Sequence, residues 1–97
     1  MPLFALVGRD APGAPELRKQ HRRAHLEHLR PLARAGRLRF AGPLLEASDP
    51  VGSLVVFEAP DLAGARALAA RDPYVVRAVF TTHEIFETRA VFPKREA

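Results

Sequence analysis

Three histidines, His21, His25 and His28, recur at i, i+4 and i+7 in the stretch from Glu16 to Ala35. That spacing places them on one side of a helix. At about 100° per residue, Leu17, Ala24, Leu29, Leu32 and Ala35 share the same side, whereas Lys19, Arg23, Glu27, Arg30 and Arg34 fall opposite. His25 is the most central of the three, four residues before Leu29 and seven before Leu32. An imidazole turned towards a core needs a partner, because an unpaired buried donor costs about 1–3 kcal/mol. The second misplaced polar residue is Asp72, four residues after Leu68 at the end of another apolar helix. As the residue before Pro73 it suits the N-cap of a following turn, with proline at N1. Such a carboxylate can cap with one oxygen and meet a histidine with the other. The acid would fix the imidazole tautomer and stabilise the imidazolium of a group whose ordinary pKa of about 6.5 suits proton transfer.

Other chemistries fit less well. A core histidine donating to a backbone carbonyl is the plain alternative for His25. Three imidazoles on one helix rarely close a metal tetrahedron, and no HExxH glutamate stands between them, so no metal and no cofactor are expected. The chain contains no Cys, which excludes a disulfide, a thiol nucleophile and a cysteine-based zinc site. Ser48 and Ser53 are the only serines, and neither sits in a GxSxG elbow. Asp10, Asp49 and Asp61 lie in turn or proline-adjacent contexts and read as turn or cap residues. His83 falls in the last strand as a surface or interface residue.

The elements that must carry these groups follow from punctuation and periodicity. Residues 2–8 are an apolar first strand, ending in a Gly/Pro loop through Pro15. A helix spans about Glu16 to Ala35, with Gly36 as its C′ residue and Pro31 as a source of kinking. Residues 38–46 read as a second strand with a break at Gly42-Pro43, residues 47–52 as a turn, and residues 53–59 as a third strand. Pro60-Asp61 starts a second helix that stops at Asp72-Pro73. A short helical turn precedes a last strand from about Val79 to Phe92. The order β-α-β-β-α-β predicts an α+β, ferredoxin-like antiparallel sheet with both helices on one face. Residues 3–7 and 54–57 are apolar on both faces, so the uncovered face calls for a second copy of the chain.

A length of 97 residues suits one domain spanning 1–97, with 47% hydrophobic and 27% charged residues, which excludes wholesale disorder. The N-terminal apolar run is short and has no basic lead, so it reads as a strand and not as a secretory leader. No segment approaches the roughly 20 apolar residues of a membrane span, and a cytoplasmic location without membrane contact is expected. The net charge is +4 and resides in thirteen Arg against two Lys. These are dispersed (Arg22/Arg23, Arg37/Arg39, Arg66/Arg71, Arg89/Lys94/Arg95) without interleaved aromatics. That pattern argues against nucleic acid and for a small anionic partner.

Five short segments together resemble the YCII-related (YciI-like) proteins over nearly the whole chain. They are Arg22-Arg23-Ala24-His25-Leu26, Gly36-Arg37-Leu38, Ala41-Gly42-Pro43, Gly52-Ser53 and Asp72-Pro73-Tyr74-Val75. The resemblance implies a dimeric α+β barrel, a homodimer that could assemble further, and an active site built on His25 and Asp72. It implies Arg22, the arginine of R-x-x-H, as an anion anchor; beside that site Gly42 and Pro43 are expected to shape a pocket wall, and Ser53 and Tyr74 to contact a substrate. Pro31 departs from the family pattern, and His21 and His28 lie outside it. Some relatives eliminate HCl from small chlorinated aromatic compounds. The expected activity is therefore that of a small-molecule hydrolase or HCl-eliminating lyase. The alternative is a non-catalytic dimer that binds or senses a small molecule in the same pocket.

Overall fold

Along the first strand, β1 (Leu3–Asp10), Phe4, Leu6 and Gly8 are buried while Leu3, Ala5 and Val7 are half-buried. This two-residue period marks a strand with one well-covered face. The computed structural model describes residues 1–93, so Lys94 and Arg95 lie outside the described residues. The other elements are α1 (Ala14–Arg34), β2 (Leu38–Glu46), β3 (Asp49–Glu58), α2 (Leu62–Ala70), α3 (Pro73–Val76) and β4 (Phe80–Thr88). The four strands form one sheet in the order β2-β3-β1-β4, with every neighbouring pair antiparallel. This is the ferredoxin-like α+β arrangement expected from the element order.

Phe4 and Leu6 of β1 face Phe57 and Val55 of β3 across the ladder. Together they meet Leu29 and Leu32 of α1 and Ala65 and Ala69 of α2. Each large side chain buried there contributes about 1.5–3 kcal/mol. Ala14, Tyr74, Val79 and Phe80 form a second cluster beside it. On the opposite face, Leu3, Ala5, Val7, Leu54 and Val56 are half-buried, and Phe40 and Phe86 remain 52% and 50% exposed. Neither core cluster includes them.

The boundaries differ from expectation for identifiable reasons. Helix α1 starts two residues early because Pro15 fits its first turn, where the missing N–H has no partner to lose. It runs past Pro31 to Arg34. There Arg37 N–H donates to Leu32 O (2.8 Å) and Gly36 N–H to Ala33 O (3.1 Å), a Schellman closure that needs the φ of +71° at Gly36. Strand β2 does not break at Gly42-Pro43, because it lies at the sheet edge and an edge strand tolerates proline. The turn of residues 47–52 contracts to Ala47 and Ser48. Both have positive φ (48° and 71°), as a two-residue type I′ hairpin requires. Asp49 accordingly belongs to β3, opposite Glu46, and is not a turn residue. Asp61 caps α2, accepting from Gly64 N–H at 2.7 Å, and that helix closes at Ala70. Strand β4 stops at Thr88, short of Phe92, because its partner β1 begins at Leu3 and the ladder runs out.

Candidate active site

Helix α1 carries Arg18, Arg22 and His25 on the stripe that overlooks β2 and β3. Between helix and sheet is an open cavity of about 430 Å³. Arg22 and His25 line it from the helix, Gly42 and Pro43 from β2, Ser53 from β3, and Tyr74 from α3. Asp72 stands behind His25. The two groups lie 47 positions apart in the chain, yet His25 Nδ1 is 2.8 Å from Asp72 Oδ1. His25 is 7% exposed and Asp72 1%. The same Oδ1 accepts the Tyr74 N–H at 2.9 Å and thereby caps α3. One oxygen therefore does both jobs, where the sequence suggested one oxygen for each.

The Oδ1 oxygen that accepts the Tyr74 N–H accepts the Nδ1 hydrogen of His25 as well, which leaves Nε2 on the opposite edge of the ring. The Tyr74 ring lies flat on the imidazole, 3.9 Å between centroids and 2° from parallel. Phe80 braces Tyr74 edge-on, at 6.0 Å and 87°. The imidazole is thus held in plane by a ring and in direction by a carboxylate. Burial raises the pKa of the Tyr74 phenol above its ordinary value of 10.0, against the opposing pull of Arg18 and Arg22. That phenol stays neutral near neutral pH.

Two residues of the site were not anticipated in their roles. Asp10, read as a turn or cap residue, ends β1, because the strand continues two residues beyond Gly8. Its carboxylate receives Arg18 bidentately, Nε to Oδ2 and Nη2 to Oδ1, each at 2.8 Å. Gly52 O at 2.7 Å and Ser53 Oγ at 2.9 Å also lie on Arg18 Nη2, whose two hydrogens are thus shared among three acceptors. The hydrogen bond to Asp10 holds the Arg18 guanidinium above its already high ordinary pKa. Arg18 precedes His25 by seven residues, so helical periodicity is the one local signal that could have put it on the histidine stripe. Arg22 is exposed and, among the described residues, forms no salt bridge.

The remaining histidines diverge. His28 is half-buried, its Nε2 has no hydrogen-bond partner among the described residues, and burial lowers its pKa in spite of nearby Asp72. His21 is partly exposed, and His83 is exposed on β4. Among the described residues no three His, Cys, Asp or Glu side chains gather as metal ligands would. No helix among them is long and apolar enough to cross a membrane.

Comparison with solved structures gives a strong neighbour, the 5-chloro-2-hydroxyhydroquinone dehydrochlorinase of Burkholderia phenoliruptrix AC1100 in complex with 2,5-dihydroxybenzoquinone. It superposes with a TM-score of 0.81 at 26% identity, covering 90% of this chain and 93% of that one. An antibiotic biosynthesis monooxygenase shares the fold, with a TM-score of 0.57 at 16% identity over 94% of this chain and 99% of that one. No curated protein matches the sequence. The YCII-related domain matches residues 2–89, and the chain belongs to that family.

Proposed function

We propose that the chain is a small-molecule enzyme in which His25 moves a proton at a compact, oxygen-bearing ring. Asp72 orients the imidazole, and Arg22 takes the negative charge of a phenolate or carboxylate. The observation that carries this reading is the buried 2.8 Å contact from Nδ1 to Oδ1 on an imidazole that also lines the cavity. The similarity to a dehydrochlorinase holding a hydroxyquinone supports a hydroxylated aromatic substrate and elimination as the reaction class.

For a chlorinated hydroxyquinol the steps balance. Nε2 of His25 takes the proton of a ring hydroxyl, and the resulting imidazolium returns it to the chlorine-bearing carbon. A second ring hydroxyl then loses its proton, its electron pair moves into the ring, and chloride leaves with the C–Cl pair, giving a quinone and HCl. Positioned proton transfer of this kind contributes about 10²–10⁴-fold in rate. Gly42 and Pro43 would form the wall against the ring. The apolar sheet face around Phe40 and Phe86 would be covered by a second copy, making the working unit a homodimer.

The test is chloride release from 5-chloro-2-hydroxyhydroquinone. Native protein is expected to turn it over. His25→Ala should lose turnover while keeping its melting temperature and sedimentation behaviour. Native-like release by His25→Ala would overturn the proposal. Tight binding of hydroxyquinones without turnover across a panel of chlorinated aromatics would favour the non-catalytic binding module instead.

A further inference from the structure

A serine hydroxyl has one hydrogen to donate and two lone pairs to accept with, whereas a guanidinium can only donate. At Ser53 the second fact decides the first. Arg18 Nη2 lies 2.9 Å from Oγ, so Oγ accepts there and its own hydrogen must point elsewhere. Among the described residues no acceptor takes that hydrogen. Ser53 sits opposite Gly8 on one side and Pro43 on the other, neither of which has a polar side-chain atom to compete for it. Ser53 is 3% exposed and lines the same cavity as His25. We infer that Ser53 is the cavity's directed hydrogen-bond donor, reserved for an acceptor oxygen of the ligand, and that Arg18, clamped by Asp10, is the positioning residue that makes it one.

This deepens the proposed function and rests on it, since it supposes that the ligand occupies the cavity beside His25. It also divides the recognition. The Asp10 carboxylate neutralises Arg18, so the donor at Ser53 selects for a lone pair and not for charge. Charge selection is left to Arg22. The ligand class that satisfies both is a ring with a carbonyl or ring oxyanion at Ser53 and a separate anionic oxygen near Arg22. Hydroxyquinones and hydroxyquinols fit; an aniline nitrogen or a thioether in the Ser53 position does not.

The probe is 2,5-dihydroxybenzoquinone, titrated by its visible absorption into native protein, Ser53→Ala, Ser53→Thr, Arg18→Lys and the double variant Arg18→Lys/Ser53→Ala. Ser53→Ala should raise Kd roughly tenfold, the scale of one lost hydrogen bond, whereas Ser53→Thr keeps the donor and restores binding. Arg18→Lys should weaken binding on its own and add nothing once Ser53 is gone, because it acts through Ser53. The infrared carbonyl stretch of the bound quinone should lie lower in native protein than in Ser53→Ala. Unchanged Kd and stretch in Ser53→Ala would overturn the donor assignment. Chloride release that survives His25→Ala would instead overturn the acid–base reading. Failure of native protein to bind the quinone would overturn both. A crystal structure of native protein with the quinone tests the donor directly, without any variant. A ligand oxygen within about 3 Å of Ser53 Oγ supports the assignment, and one beyond about 3.5 Å rejects it.

Discussion

Replacing Asp72 separates what its carboxylate does for the fold from what it does for the chemistry. Two hydrogen bonds converge on Oδ1, one from His25 Nδ1 at 2.8 Å and one from Tyr74 N–H at 2.9 Å. Asp72→Ala removes the α3 cap, worth about 1 kcal/mol. It also leaves the buried His25 N–H without an acceptor, worth about 1–3 kcal/mol more. The sum of about 2–4 kcal/mol is a large share of the 5–15 kcal/mol that typically stabilises a domain. At about 4–8 °C per kcal/mol for a chain of this size, the melting temperature should fall by roughly 8–32 °C. Asp72→Asn retains an acceptor oxygen of the same shape and should cost only about 1 kcal/mol in charge assistance. Its turnover should nevertheless drop by about 10²–10⁴-fold, because no negative charge remains to stabilise the imidazolium. Circular dichroism melts at pH 7, beside chloride release at 25 °C, read the two effects separately. An Asp72→Ala protein that melts within two or three degrees of native refutes the structural half of this reasoning. An Asp72→Asn protein with native turnover refutes the chemical half.

Gly52→Ala should destabilise by about 1–3 kcal/mol in urea unfolding, because its Cβ would meet the carbonyl oxygen of Gly8, a backbone atom fixed in the β1–β3 ladder. Native-like stability would show that the ladder yields there. Asp61→Ala removes the α2 cap and should lower the melting temperature by about 4–8 °C, with an unchanged melt as the contrary result. Burial holds the His28 pKa below its ordinary 6.5, so the unfolded chain takes up that proton first. The stability tied to neutral His28 is therefore fully present above about pH 6.5 and is lost as pH falls through the folded value. His28→Gln should show a shallower fall in melting temperature below pH 6.5 than native protein, and superimposable acid profiles would count against the assignment.

Much of the architecture was legible because its signals are local. Gly36 marked the end of α1, Asp61 and the Asp72-Pro73 pair marked helix starts, and the 3.6-residue period turned His25 inward. What escaped depends on partners distant in sequence. The end of β4 is set by where β1 begins, which no feature of residues 89–92 announces. The hairpin tip lacks the glycine or asparagine that usually betrays positive φ, so Ala47 and Ser48 passed for part of a longer turn. Asp10 read as a turn or cap residue and nothing local singled out Arg18, since either charge alone is costly to bury and only the pair makes burial tolerable. The cavity itself was legible only in part. Motif segments named its wall, but the clamp that orients Ser53 carries no motif.

The sharing of one oxygen between α3 and His25 also limits how the gene can drift. Ala47 and Ser48 are exposed at a hairpin tip, where codons can be gained or lost at little cost to the His25–Asp72 contact. Between Ala70 and Tyr74 the chain has no such slack, because a single inserted residue would carry the Asp72 carboxylate away from His25 and uncap the turn at once. Length polymorphism among descendants of this sequence should therefore collect at the hairpin and be purged from the short link between α2 and α3.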